Sequence, residues 1–210
     1  MTLAIVFSTS GNVILRPMSR RATKRLVRLG NWLVAGVVVA ALGAAAFVYL
    51  RWVYRERRFN QIIEEVATRQ GADQYLIKAV MRQESGFDPF AYSARDAIGL
   101  MQVTEGAGWD WARATGRRDF SRDMLWDPRI NVEAGTWYLQ RALQRWADRP
   151  FEERIPFALA EYNAGYGNVQ RWLPNGRATT TGEFHTAITY PGVRAYVEKV
   201  TAYYHAYRPD

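Results

Sequence analysis

DQYLIKAVMRQESG, residues 73–86, is the stretch whose reading decides the fold. Asp73 has the chemistry of a helix N-cap, and Gly86 with Pro89 stops the helix at Ser85. Within it Ile77, Val80, Met81 and Glu84 fall at i, i+3, i+4 and i+7, so they share one face. An apolar stripe that closes on a carboxylate is unusual, because an ionised carboxylate on a core-facing surface is costly unless paired or used. Apolar surroundings also push a carboxyl pKa up, which suits a proton donor. On this helix alone Glu84 is either such a donor or a side chain at the helix end reaching solvent or a neighbouring arginine.

Helical patterns extend in both directions. Residues 59–70 carry Ile62, Ile63 and Val66 at helix spacing and end at Gly71. Residues 87–99 are rich in turn formers and are expected to hold a loop or small hairpin. A helix is expected over 100–115, and Asp127-Pro128 opens another that runs to Trp146. Pro156 is read as the start of a helix ending at Gly165, residues 168–172 as a short helix, and residues 176–182 as a flexible loop. Pro191 opens the last helix, with Val193, Tyr196, Val197, Val200 and Tyr204 on one stripe. No sustained alternation of period two occurs, so the domain is mostly α.

The N-terminal quarter differs in kind. Residues 32–50 contain no charge and are rich in Val, Ala and Leu, long enough for a transmembrane helix at roughly 20 residues per span. Trp32, Tyr49 and Trp52 sit near its ends, where aromatic rings favour a membrane interface. A cleaved signal peptide is the rival reading, with Ala44-Ala45-Ala46 as a small-residue cleavage site. The formal net charge of +8 is unevenly placed: residues 1–58 carry +9 and residues 59–210 carry −1. A near-neutral globular part argues against nucleic acid as a partner. Six basic residues precede the span and four follow it, which sets the N-terminus in the cytoplasm by the positive-inside rule. The organisation expected is a basic tail at 1–31, the anchor at 32–50, a charged stem at 51–58 and one domain of ordinary size at 59–210. Residues 1–17, mildly apolar and uncharged before Arg16, read as a disordered tail or as sequence upstream of a true start at Met18.

There are no cysteines, which removes thiol nucleophiles, disulfides and thiolate metal sites. The two histidines, His185 and His205, form no zinc pattern; His205 is expected to face solvent or serve structure, and His185 to lie in a loop.

Three separated segments then combine: Glu84-Ser85-Gly86-Phe87 with Pro89, Ala91 and Ser93; Ala97-Ile98-Gly99-Leu100-Met101-Gln102-Val103; and Ala160-Glu161-Tyr162-Asn163-Ala164-Gly165 with Gly167, Val169, Arg171 and Trp172. Together they resemble the catalytic domain of the soluble lytic transglycosylases, relatives of goose-type lysozyme, over about residues 60–208. The resemblance implies a mostly α, lysozyme-like domain with a small loop or hairpin region, preceded here by one transmembrane helix. It implies that Glu84 is the catalytic acid and base and that Ser93 sets a hydroxyl near it. Met101 and Gln102 would hold sugar, and Tyr162 and Asn163 would face the acid. Tyr190, with Arg194, Tyr196 and Val197, resembles the C-terminal tyrosine segment. Tyr162 or Tyr190 would hydrogen-bond the acetamido group or Glu84. Three departures accompany the match: Asp96 where the family usually has Gly, Thr104-Glu105 in place of a common Pro region, and Gly192-Val193 in place of an acidic-Thr pair.

Most glycosidases need two carboxylates, but one suffices when the substrate brings its own nucleophile. The family's substrate is peptidoglycan, in which the C6 hydroxyl of N-acetylmuramic acid closes a 1,6-anhydro ring without water. The expected protein is therefore a single-pass enzyme of the bacterial inner membrane, with its domain in the periplasm acting on glycan strands without metal or cofactor. Membership of an envelope or secretion complex also fits. A lysozyme-like hydrolase of the same bond, or a non-enzymatic wall-binding module, are the alternatives.

Overall fold

Side-chain caps set several of the helix starts in the computed structural model, which describes residues 3–7, 13–17, 19–173 and 180–209. The chain divides into two compact units, Met1–Val53 and Tyr54–Asp210.

In the first unit, strands β1 (Leu3–Phe7) and β2 (Val13–Pro17) pair antiparallel, Leu3 opposite Pro17 and Phe7 opposite Val13. The segment read either as a disordered tail or as sequence upstream of a true start therefore carries two paired strands. Helix α1 (Arg20–Arg57) is continuous through the expected anchor and on into the expected stem, and none of its residues is buried. It contains a stretch of mean hydropathy 2.4, long and apolar enough to cross a membrane by length and composition.

The second unit begins at Tyr54, within the last turn of α1. There Arg55 pairs with Asp88 at 3.1 Å and Glu56 with Lys78 at 3.2 Å, so part of the expected stem packs with the domain. The domain continues with α2 (Asn60–Gln70), α3 (Gln74–Ser85) and α4 (Glu105–Thr115). A 3-10 helix (Arg122–Trp126) leads into α5 (Pro128–Arg145), followed by α6 (Phe151–Ala164) and α7 (Tyr166–Trp172). α8 (Thr181–Ala187) and α9 (Pro191–Tyr207) complete it. Helix α3 packs on α9, and α6 is set between α5 and α9. Leu76, Ile77, Val80 and Met81 of α3 are buried in the core they share.

Asp73 caps α3 by accepting from the amides of Tyr75 and Leu76 at 2.8 and 3.0 Å, as its position predicts. Asp127 does the same for α5. Three boundaries differ from expectation. Helix α4 starts at Glu105, not near residue 100, because Ile98 and Val103 exchange both backbone hydrogen bonds at 3.0 Å and close a tight turn first. Helix α6 starts at Phe151, with Pro156 inside it; Glu152 and Glu153 in the first turn favour that earlier start. Of the expected loop at 176–182, residues 176–179 lie outside the described residues. Thr180 caps α8 there through a reciprocal capping box with Glu183. His185 consequently lies on a helix, 2.9 Å from Glu198, rather than in a loop. His205 is exposed on α9, as expected.

Candidate active site

Glu84 occupies the last turn of α3, where Gly86 ends the helix in the left-handed conformation that a residue without Cβ adopts freely. Its face is set by the core stripe beneath it, so the carboxylate is drawn inward and only partly exposed. The phenol of Tyr196, on α9, donates to Glu84 Oε1 at 2.6 Å. Burial raises the Glu84 carboxyl from its ordinary value to about 7, with the Tyr196 bond acting in the opposite direction. Both Tyr196 and Tyr162 are held well above the usual phenol range, by burial first and then by the nearby Glu84 charge.

Tyr162 lines an open cleft of about 300 Å³, together with Gln102, Thr104, Asp110, Gly135 and Tyr138. Glu84 is not among the cleft's lining residues. Tyr162 Oη donates to the Met101 carbonyl at 2.7 Å, and its ring packs edge-on against Tyr138 at 5.9 Å. The 99–103 turn that forms one wall is pinned from behind by Asn131, which is 1 % exposed on α5. Asn131 accepts from the Met101 amide at 2.8 Å and donates to the carbonyls of Ile98 and Leu125 at 2.7 and 2.8 Å. Gly99 and Gly135 allow this closeness: a Cβ on Gly99 would lie 2.6 Å from Asn131, and one on Gly135 would lie 2.6 Å from Met101.

A family model described as the transglycosylase SLT domain matches residues 61–184. The chain belongs to that family. Among solved structures the SLT domain is similar to an inactive Glu-to-Gln mutant of lytic transglycosylase Slt from Pseudomonas aeruginosa, at 30% identity and TM-score 0.63, covering 70% of this chain and 23% of that one. It is similar also to the 70 kDa soluble lytic transglycosylase of Escherichia coli, at 30% identity and TM-score 0.64, covering 76% of this chain and 26% of that one. A complex of the 70 kDa enzyme with bulgecin A matches with TM-score 0.62. The chain thus spans about a quarter of the length of these relatives.

The residues singled out in the SLT domain's sequence are distributed as follows. Gln102 lines the cleft while its amide donates to the Ala91 and Gly99 carbonyls at 3.2 and 3.1 Å. Met101 is fully buried, its sulfur 3.8 Å from the Thr136 hydroxyl, so its polar contribution to the wall is backbone. Ser93 Oγ accepts from the amides of Arg95 and Ala97 at 3.2 and 3.1 Å and thereby closes its own loop. Asn163 lies next to Tyr162 on α6, partly exposed. Tyr190 is exposed, stands just before α9 and packs edge-on against Trp172 at 5.2 Å. Of the three tyrosines, Tyr196 bonds Glu84, which leaves to Tyr162 and Tyr190 the other role expected of them, the acetamido group. The place of Tyr196 on the α9 stripe marks it as core, and only the packing of α9 on α3 turns the phenol toward the carboxylate. A lone Asn in an amphipathic helix, such as Asn131, carries no spacing signal in the sequence.

Asp96, where the family usually has Gly, adopts φ +59. That is the left-handed region which explains the family's preference; Asp tolerates it better than most residues. Its carboxylate accepts from the Tyr92 hydroxyl, and Arg122 reaches the same hydroxyl at 3.3 Å. Ser85 buttresses the helix end, donating to the Leu100 carbonyl at 2.8 Å. Glu161, beside the Tyr162 motif, is buried and paired with Arg145 at 3.3 Å. Among the described residues no group of three or more His, Asp or Glu could hold a metal ion.

Proposed function

We propose that this chain is a membrane-anchored lytic transglycosylase that cleaves the bond between N-acetylmuramic acid and N-acetylglucosamine in peptidoglycan and leaves a 1,6-anhydro product. The observation that carries the reading is Glu84: a carboxyl raised to about 7, held by Tyr196, in a domain of this family. A proton-transfer group works best with a pKa near the operating pH, and at neutrality Glu84 is populated in both states. Protonated, it gives its hydrogen to the glycosidic oxygen; the bond to the leaving sugar breaks and positive charge develops at the anomeric carbon. Anionic Glu84 then takes the hydrogen of the C6 hydroxyl, whose oxygen bonds the anomeric carbon and closes the ring. The proton donated in the first half is replaced in the second, so no water is consumed. The Tyr196 phenol stabilises the carboxylate between the two halves. The existence of an inactive Glu-to-Gln mutant of the Pseudomonas aeruginosa relative is in keeping with one indispensable carboxyl.

Gln102, Tyr162 and Tyr138 suit a glycan cleft, since aromatic rings and fixed amides pair with sugar faces and hydroxyls. Ser93, Asn163, Tyr190 and Met101 are proposed to contact or position the sugar on the family resemblance alone. The apolar stretch of α1 supports a single-pass anchor at 32–50, with the catalytic domain on the periplasmic face of the inner membrane. Tethering then concentrates the enzyme on glycan near that membrane.

The experiment is mass spectrometry of muropeptides released by the full-length chain in detergent. Anhydro products are expected; products heavier by one water would instead establish hydrolysis, and no release at all would leave a binding module.

A further inference from the structure

A second cavity, of about 320 Å³, is lined by Gln70, Thr115, Trp137, Gln140, Arg141 and Gln144. We infer that it is an accessory binding site for an N-acetylated, acid-bearing sugar of the glycan strand; this rests on the reading that the chain acts on peptidoglycan.

The lining combines one indole, one guanidinium, three carboxamides and a hydroxyl, and none of it is acidic. An indole offers a face to a pyranose ring, carboxamides pair with hydroxyl and acetamido groups, and a guanidinium binds a carboxylate. N-acetylmuramic acid presents all of these partners. Two of the amides are already oriented. Gln140 Nε2 donates to the carbonyls of Gln70 and Gly71 at 3.3 and 3.0 Å, and Gln70 Nε2 donates to the Glu133 carbonyl at 2.9 Å. Their amide oxygens are thus fixed acceptors, which lowers the ordering cost of binding. Arg141 lies over the Trp137 ring at 5.5 Å and holds it.

The cavity adjoins the cleft. Trp137 lines one and Tyr138 the other, on consecutive residues of α5. Arg141 bridges the ridge between them to Asp110, a cleft residue, at 3.7 Å. A strand long enough to leave the cleft over this ridge meets the second cavity, whereas a short oligosaccharide fills the cleft alone. The site would therefore favour long strands over short ones.

The test compares long, peptide-free glycan strands with a tetrasaccharide of the same sugars, using the full-length chain in detergent. Binding is measured on the Glu84→Gln background and turnover on the unmodified one. Gln144→Glu sets a carboxylate beside Arg141 at an exposed position, so folding is spared. Trp137→Ala removes the ring. Loss of an aromatic or charged anchor is expected to weaken long-strand binding about tenfold. KM for long strands should rise in parallel with kcat unchanged, and the tetrasaccharide should be unaffected. Long-strand binding equal to the parent in Gln144→Glu overturns the inference, as does an equal loss for both substrates. Absence of cleavage by the unmodified chain would count against the proposed function, while the binding comparison would still decide the cavity.

Discussion

Replacing Glu84 with Gln should abolish turnover and yet make the domain more stable above neutral pH. Gln is nearly isosteric and its amide oxygen keeps the bond from Tyr196 Oη, 2.6 Å away in the parent. What disappears is the cost of ionising a buried carboxyl. The Glu84 pKa is about 7 folded against an ordinary 4.5. Between those values the folded state holds a proton that the unfolded chain has released, so stability falls as pH rises. Below about 4.5 both states are protonated and the contribution is fully present; above about 7 it is lost. The interval corresponds to about 3 kcal/mol at ~1.4 kcal/mol per pKa unit. Partial exposure of Glu84 to the solvent reduces it to about 1–2 kcal/mol. For a domain of this size that is ~2–8 °C in Tm. Tryptophan-fluorescence melts of the parent and Glu84→Gln from acid to alkaline pH would then coincide at the acid end and separate progressively towards neutrality, Gln above. Two curves separated by a constant offset at all pH values would refute the reasoning, because the offset would then come from packing and not from ionisation.

Tyr196→Phe removes the donor that stabilises the Glu84 carboxylate, so the alkaline limb of the kcat/KM–pH profile should move up by about one unit; an unmoved limb would separate the phenol from the acid. Asn131→Ala leaves the Met101 amide without its acceptor and takes one donor each from the Ile98 and Leu125 carbonyls, and should cost about 2–4 kcal/mol in urea unfolding. Gly135→Ala drives a methyl into Met101 and should cost about 1–3 kcal/mol together with a rise in KM. Gly167→Ala, with nothing within 4 Å of the added Cβ, is the control expected to leave KM unchanged.

The domain's local rules are written along the chain. Asp73 caps α3, Gly86 ends it, and the period of its apolar residues turns Glu84 inward, because each depends only on neighbours within one or two turns. The charge-free run of residues 32–50 is local in the same sense. Pro156 shows where such rules mislead: its ring reads as a helix start, yet α6 absorbs it after a first turn begun at Phe151. The start of α4 was masked by a tertiary preference, since the Ile98–Val103 pairing consumes residues that an apolar pattern assigns to the helix. The pairing of Glu84 with Tyr196 bridges 112 residues and that of Asn131 with Met101 bridges 30. Sequence alone determined which carboxyl faces the interior and which family motifs accompany it. The packing of α3 on α9 decided which of several tyrosines reaches that carboxyl, because a hydrogen bond requires an approach within about 3 Å and only the assembled core specifies positions that finely.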